Sequence, residues 1–364
     1  MSDTEFNDYS QDATGIAELS KRGYQLLKEN KITEAKDCFT KILLLDSNNN
    51  YALVGMGDAA RKFGNSSEAI AYYDRCLEQH PGNNYALFGL ADCYKTLNQY
   101  RKAIEIWEQY LLHDDANITI LTRVADAYRK VKNFKQSKAV YQKVLQLEEN
   151  NHYAIIGLGH LHYDFKKYED ALFYWEKMLT LADSEVDIRV LTSIGNCHRK
   201  LKSFAAGIPY FESALRMDSE NFYALFGLAD CYRGMKKQDN SLEYWNRILN
   251  HDSRNRVILT RAGDAYRIMK MYDKAQEYYE RALNIEYDMY AVLGLALIAK
   301  AHKKYTEAIE SMKQLLQLDP GNSRIMYELT DCYIQSGDKR KAVEISEEFQ
   351  RPGTRNFNIA DIHP

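Results

Sequence analysis

The chain has 364 residues, of which 45% are hydrophobic and 27% charged, so it carries enough apolar material for a large core and too little net charge for an intrinsically disordered protein. With 48 Lys and Arg against 51 Asp and Glu, the formal charge is -3, which disfavours nucleic acid and anionic membranes as partners. Six cysteines without a CxxC pair, and no long apolar run, predict a soluble protein in the reducing cytoplasm.

The first fifteen residues form an acidic segment. They include Asp3, Glu5, Asp8 and Asp12 and no basic residue. Polar segments at chain ends are frequently poorly ordered. We therefore expect residues 1–15 to be a disordered tail outside the folded part.

From residue 16 onward the sequence repeats with a period of 34 residues. The segment Tyr85–Tyr94 recurs letter for letter as Tyr223–Tyr232, and Ile120–Arg129 returns as Ile258–Arg267 with two changes. Both offsets are 138, which is four periods plus two residues. This pattern indicates that a block of four units was duplicated.

The first half of each unit has the spacing of a helix. In the unit that starts at Asn84, positions 4, 7, 8 and 11 hold Leu87, Leu90, Ala91 and Tyr94. Steps of three and four residues place these side chains on one helix face.

The second half of each unit predicts a second helix, marked by positions 20, 24 and 27. In the unit that starts at Asn50, these are Ala69, Tyr73 and Cys76. The small residues at positions 8 and 20 let the two helices approach closely, and the rings at position 24 fill the space between units. The tryptophans of the chain all occupy position 24: Trp107, Trp175 and Trp245.

This order of small and large residues resembles the tetratricopeptide repeat family, and the resemblance covers nearly the whole chain. It implies an all-α fold, a right-handed α-solenoid superhelix of ten helix-turn-helix repeats over residues 16–352, with a concave groove lined by the first helices. The repeats are predicted to start at Ile16, Asn50, Asn84, Ile118, His152, Ile188, Phe222, Arg256, Met289 and Ser323.

One irregularity divides the ten repeats into halves. The two surplus residues, Val186 and Asp187, directly precede a repeat whose second helix contains Gly207 and Pro209. A proline inside a helix removes a backbone hydrogen bond and kinks the helix. We therefore predict a hinge over 186–209.

The end of the chain departs most from the pattern. The last repeat has Thr330 at position 8 and Ser346 at position 24, where most other repeats carry a small residue and a ring. Residues 353–364 follow Pro352 and begin with Gly353, and we expect them to be a C-terminal tail.

The first helices are predicted to line the groove with polar residues in a fixed register. Because packing occupies positions 4, 7, 8 and 11, positions 2, 5, 6, 9, 12 and 13 are left for the groove wall. Position 9 is mostly Asp and position 12 mostly Arg or Lys. The candidate polar binding residues are Asp58, Asp92, Asp126, Asp230, Asp264, Arg61, Arg123, Arg129, Asn196, Arg199, Arg233, Arg261 and Arg267.

Tyrosine at position 2 recurs with a glycine four residues later. Glycine inside a helix costs about 1 kcal/mol relative to alanine. We interpret each pair as a shelf, an open space in which a ligand or ring approaches the backbone. The candidate tyrosines are Tyr51, Tyr85, Tyr153, Tyr223 and Tyr290, and the glycines that follow them are Gly55, Gly89, Gly157, Gly227 and Gly294.

This register predicts a linear peptide as the ligand. Tyr offers apolar contact area at low entropy cost, and Arg binds carboxylates in a fork. We interpret the chain as a non-catalytic scaffold that binds a peptide segment of a partner protein. The alternatives are a peptide-sensing regulatory receptor, a self-associating protein that forms homo-oligomers, and groove charges that only form solvated ion pairs along each helix.

Other ligands are disfavoured. Position 9 is Asp in six of ten repeats, which would repel the phosphates of nucleic acid. Family members that hold a chaperone's C-terminal carboxylate use Lys and Asn at groove positions, and here only Asn196 fits, beside Thr192. His160 and His162, two residues apart, point to different helix faces. The sequence contains no catalytic motif, so we expect no enzyme activity, no cofactor and no metal.

Overall fold

The computed structural model describes residues 3–181 and 187–350, with side chains between 15 and 347. Within these ranges the regular elements are twenty α-helices, and no strand occurs among them. The chain forms two compact units, Met1–Leu181 and Ala182–Pro364. The prediction of an all-α helical-repeat solenoid is confirmed.

Ten helices belong to the first unit, and odd-numbered helices are the first helix of each repeat. They are α1 Asp3–Lys28, α2 Ile32–Leu45, α3 Asn50–Lys62, α4 Ser66–Gln79, α5 Asn84–Thr96, α6 Tyr100–Leu111, α7 Ile118–Lys130, α8 Phe134–Leu147, α9 His152–Asp164 and α10 Tyr168–Thr180.

The second unit continues the same alternation. Its described helices are α11 Ile188–Lys200, α12 Phe204–Met217, α13 Phe222–Gly234, α14 Gln238–His251, α15 Arg256–Ile268, α16 Tyr272–Leu283, α17 Met289–Ala301, α18 Tyr305–Leu318, α19 Ser323–Gln335 and α20 Lys339–Gln350.

First helices from α3 onward begin at the predicted starts because the residue before each start caps the helix. The side chain of Asn83, for example, accepts hydrogen bonds from the backbone N–H groups of Tyr85 and Ala86 at 3.1 and 3.0 Å. Such a cap satisfies donors that have no partner inside the helix. The same role belongs to Asn49, Asn117, Asn151, Asp187, Asn221, Asn255, Asp288 and Asn322.

The first helix differs from the prediction. α1 begins at Asp3 rather than at Ile16, so residues 3–15, which we expected as a tail, belong to that helix. No proline interrupts the segment, so nothing in its backbone prevents the helix from extending through it.

The described structure includes most of the predicted hinge but none of the predicted C-terminal tail. Val186 and residues 353–364 lie outside the described residues, and Asp187 is the N-cap of α11. Pro209 lies inside α12, which runs without interruption from Phe204 to Met217. The hinge over 186–209 stays a prediction.

Each of the first eight repeats buries a ring at position 24, whereas the last two repeats have Met312 and Ser346 there. Tyr73 of α4 and Phe211 of α12 are fully buried, with the small position-8 residues Gly57 and Gly195 of their own repeats against the ring. Burying such a ring contributes about 2–3 kcal/mol. Equivalent buried rings are Phe39, Trp107, Tyr141, Trp175, Trp245 and Tyr279.

Candidate functional site

The five candidate tyrosines stand exposed at the start of their helices. Each lies in the first turn of a first helix, and the exposed fraction of their side chains runs from 56% to 80%. On α13, one helix face carries Tyr223, Phe226, Asp230 and Arg233, because these residues are spaced by three or four positions. We call the surface formed by positions 2, 5, 6, 9 and 12 of the first helices in each unit the groove face.

The shelf interpretation of the glycines is wrong. A Cβ atom on Gly89 would lie under 3.0 Å from the ring of Tyr73, and one on Gly227 would meet the ring of Phe211 equally closely. The space beside each of these glycines is therefore filled by the position-24 ring of the preceding repeat. The same holds for Gly55, Gly157 and Gly294, which meet Phe39, Tyr141 and Tyr279.

Two junctions between first helices are built differently. First helices contact each other directly where position 6 is glycine, as α3 does with α5 and α11 with α13. Between α5 and α7, and between α13 and α15, the ring is Trp107 or Trp245 and position 6 is Arg123 or Arg261. These helices approach less closely, because an indole is wider than a phenyl ring and a long side chain replaces the glycine.

The arginines at these junctions lie over aromatic rings of the groove face. The Arg123 guanidinium carbon is 4.9 Å from the centre of the Phe88 ring. Arg261 lies 5.0 Å from Phe226 and 5.7 Å from Trp245. A guanidinium over a ring gains cation–π attraction, and its N–H edges stay free to bind oxygen atoms.

A first arginine cluster lies in the first unit. Arg123 Nη1 is 2.5 Å from Asp92 Oδ1, and Arg61 Nη1 is 3.8 Å from Asp92 Oδ2. Arg61 Nη2 is also 3.1 Å from Asp58 Oδ1, which accepts a 2.8 Å hydrogen bond from the Tyr73 hydroxyl. Two carboxylates therefore balance these two guanidinium groups.

A second arginine cluster occupies the corresponding place in the second unit. Arg199 Nη1 is 2.5 Å from Asp230 Oδ2, while Arg261 Nη1 and Arg233 Nε lie 2.7 and 3.0 Å from Asp230 Oδ1. Arg199 Nε also donates to Asn196 Oδ1 at 3.1 Å. Three guanidinium groups here share one carboxylate.

The charges of the second cluster shift the pKa values of its members. Burial alone would raise the pKa of Asp230, but the charges of Arg261, Arg233 and Arg199 outweigh it and hold that pKa below its ordinary value. Burial lowers the pKa of Arg261, and the neighbouring Arg233 and Arg199 add to that effect against the attraction of Asp230. The cluster is crowded with positive charge.

The remaining candidates form two smaller groups. Arg129 bridges Asp126 and Asp164, with nitrogen-to-oxygen distances of 3.2 and 2.6 Å. Arg267 lies 3.1 Å from Asp264. The candidate charges are thus brought together in pairs and clusters across repeats, rather than only within single helices.

Sequence reasoning missed the aromatic partners of these charges. Tyr141 and Tyr279 donate 2.8 Å hydrogen bonds to the aspartates at position 9 of their own repeats, as Tyr73 does. Phe88 and Phe226 support the arginines from position 5. The fixed offset of fifteen residues from an Asp to a Tyr was a usable signal for the hydroxyl bonds.

The histidines take part in packing. His162 is buried, with Nδ1 3.1 Å from Asp170 Oδ2, and the His160 ring packs edge-on against Trp175 at 4.8 Å. In the part of the chain that the structure describes, no group of three or more His, Cys, Asp or Glu residues is placed to hold a metal ion. Within those same residues, no helix is both long and apolar enough to cross a membrane.

Solved structures with the same kind of fold cover much of the chain. A tetratricopeptide repeat protein from Parabacteroides merdae ATCC 43184 is 15% identical, with a TM-score of 0.53 over 72% of this chain and 99% of its own. PilF from Pseudomonas aeruginosa is 15% identical, with a TM-score of 0.48 over 59% and 96%. YrrB, described as a TPR protein with an unusual peptide-binding site, is 21% identical, with a TM-score of 0.44 over 51% and 95%.

Sequence profiles of the family match both units. A search of curated proteins gave no significant match. One tetratricopeptide repeat profile matches residues 21–84, 194–253 and 260–323, which is more than half of the chain. Two further tetratricopeptide repeat profiles match 60–121 with 299–348, and 118–151. The chain therefore belongs to the tetratricopeptide repeat family, whose repeats are protein–protein interaction scaffolds and are typically without catalytic activity.

Proposed function

We propose that the chain is a non-catalytic scaffold that binds a linear peptide segment of a partner protein along its groove face. The observation that carries the proposal is the set of five tyrosines exposed in one register. An exposed Tyr ring presents apolar area that a partner can bury at low entropy cost. Exposed residues without a binding role would not need to recur at the same position of the 34-residue repeat.

The geometry of the repeats supports an extended guest. First helices of neighbouring repeats lie about 10 Å apart, and an extended peptide rises about 3.3 Å per residue, so each repeat corresponds to roughly three peptide residues. Between the tyrosines, Arg donors and Asp acceptors can pair with the polar groups of such a peptide. All six cysteines are buried and reduced, which favours a reducing compartment and hence the cytoplasm.

Selection from a library of random linear peptides tests the proposal. We expect the wild-type protein to enrich a defined peptide. The double variant Tyr85→Ala/Tyr223→Ala removes one ring from the groove face of each unit, so it should bind that peptide about fivefold more weakly. Each ring contributes about 1 kcal/mol of contact, and 1.4 kcal/mol corresponds to a factor of ten. Affinity is measured by fluorescence anisotropy with the labelled peptide.

Phe173→Ala provides the matched control. Phe173 is an exposed ring on the second helix α10, away from the groove face, so its removal should leave the affinity unchanged. Equal binding by the tyrosine variant and the wild type, or no enriched peptide at all, would exclude the groove face as the binding surface. Light scattering at two protein concentrations would then test self-association, the alternative reading of the same exposed rings.

A further inference from the structure

The two arginine clusters share one plan but differ in charge. In both, an Asp at position 9 forms an ion pair with an arginine of the preceding repeat and with the position-6 arginine of the following repeat. In the first cluster the preceding repeat adds Asp58, and in the second cluster the same position is Asn196. Position 12 of the central repeat is Lys95 in the first cluster and Arg233 in the second.

The second cluster therefore has more positive charge than its carboxylate can balance. Both oxygens of Asp230 are already engaged, Oδ2 with Arg199 and Oδ1 with Arg233 and Arg261. A further carboxylate near Arg261 belongs to Asp264, which is engaged by Arg267 and by the hydroxyl of Tyr279. Three arginines against Asp230 leave two positive charges in excess.

The arginines of this cluster can reach a ligand. The side chain of Arg233 is 46% exposed, that of Arg261 31% and that of Arg199 17%, whereas that of Asp230 is only 6% exposed. Each guanidinium has five N–H donors, and the single buried carboxylate can accept only a few of the fifteen. Tyr223, on the same face of α13, is exposed beside them.

We propose that the second arginine cluster is an anion subsite of the groove face and binds an oxyanion carried by the guest peptide, a carboxylate or a phosphate. This inference deepens the proposed function and rests on it. Asp230 positions the three guanidinium groups and offsets part of their repulsion, while the excess charge attracts the ligand. The first cluster has a smaller excess, even when Lys95 is counted with Arg61 and Arg123, because Asp58 supplies a second carboxylate.

The test compares two labelled probes, a tetraglutamate peptide and its tetraglutamine counterpart, by fluorescence anisotropy at low ionic strength. We expect wild-type protein to bind tetraglutamate at least tenfold more tightly than tetraglutamine, because charge-assisted hydrogen bonds to arginine form only with the carboxylates. A phosphoserine peptide forms a third arm. Phosphoserine bound more tightly than glutamate identifies phosphate as the oxyanion.

Asn196→Asp is the decisive variant, since it gives the second cluster the carboxylate that the first already has. Asp occupies this position in six other repeats, so the fold should be retained, and an Asp can still accept from Arg199. We expect the preference for tetraglutamate to fall about tenfold. The reciprocal variant Asp58→Asn should create a second tetraglutamate site at the first cluster and raise the stoichiometry from about one to about two.

Two results would overturn the subsite: equal binding of all three probes by wild type, or undiminished tetraglutamate binding by the folded Asn196→Asp variant. Arg254→Ala removes an exposed arginine from the loop before α15 and should change nothing. Failure of the subsite is distinguishable from failure of the proposed function. If library peptides still need Tyr85 and Tyr223 but tetraglutamate does not bind, the scaffold function stands and the subsite fails. If tetraglutamate binds but no library peptide is enriched, the anion-binding cluster stands and the peptide scaffold fails.

Discussion

A hydroxyl at position 24 is what holds an aspartate of the groove face in place. The Tyr73 hydroxyl donates to Asp58, and burial, followed by the charge of Asp58, raises the pKa of Tyr73, so it stays a protonated donor at neutral pH. Where position 24 is Phe211 and has no hydroxyl, position 9 of the same repeat is Asn196. The ring therefore packs between helices and also orients a charge at the surface.

Replacing Tyr279 by Phe should measure how much the hydrogen bond from its hydroxyl to Asp264 contributes to stability. The ring stays buried while Asp264 loses its 2.8 Å donor, so we expect the free energy of unfolding to fall by about 1–2 kcal/mol. Urea denaturation followed by circular dichroism measures the change. The exposed Tyr290 provides the control, because Tyr290→Phe should shift the midpoint hardly at all. Equal shifts for the two variants would contradict the role of the hydroxyl.

At the scale of helices, the residue at position 6 sets how closely first helices approach. Glycine leaves room for the ring of the preceding repeat and lets α11 contact α13. Between α13 and α15, where the ring is Trp245 and position 6 is Arg261, the helices are farther apart. The close junctions stabilise the stack, and the wide junctions place Arg123 and Arg261 at the groove face. Glycine junctions and arginine junctions therefore differ in how closely their first helices pack.

The substitution Gly227→Ala tests the close junction. The added Cβ would lie under 3.0 Å from the buried Phe211 ring, so we expect a loss of about 1–3 kcal/mol in urea denaturation from overpacking. Gly321→Ala adds the same methyl group where nothing lies within 4 Å, and it should be neutral or stabilise slightly. Adding Phe211→Leu to Gly227→Ala should recover part of the loss, and purely additive effects would argue against the contact.

At the scale of the whole molecule, the duplicated block gives each unit one arginine cluster in the same register. Each repeat of a solenoid contacts its neighbours, so stability is a sum of local contributions. Asp230 forms ion pairs with arginines of α11, α13 and α15, so it links three neighbouring first helices. Its loss should therefore be felt in the second unit alone.

Asp230→Asn is expected to lower stability at pH 7 by about 2 kcal/mol, less than for a fully buried pair because the arginines reach solvent. Since the folded-state pKa of Asp230 is lowered, its contribution is complete above the ordinary Asp pKa of about 4 and is lost as pH falls through the folded-state pKa. The gap between wild type and variant should therefore close below about pH 4.

Hydrogen exchange measures where this loss falls. Amide protection should decrease in α11, α13 and α15 and stay unchanged in the helices of the first unit. The exposed Asp115 serves as the control, since Asp115→Asn should leave the exchange pattern and its pH dependence as in wild type. A decrease in protection spread evenly over both units would show that the ion pairs of Asp230 do not act locally.

Much of the fold could be predicted from the sequence because its signals are local. Helix periodicity and capping residues act within a few positions, so the starts from Asn50 to Ser323 were correct, and the 34-residue register placed the tyrosines at exposed positions. The start of α1 differs from the expectation, because acidic composition predicted a tail over residues that α1 includes from Asp3 onward.

The candidate site depended on contacts between repeats, which periodicity does not specify. Glycine after tyrosine was taken as open space, and the structure fills that space with a ring of the preceding repeat. Likewise, the sequence by itself determined that Arg199, Arg233 and Arg261 lie on first helices. Only the tertiary structure decided that all three converge on Asp230, because the distance between side chains of different repeats is set by how closely their helices stack.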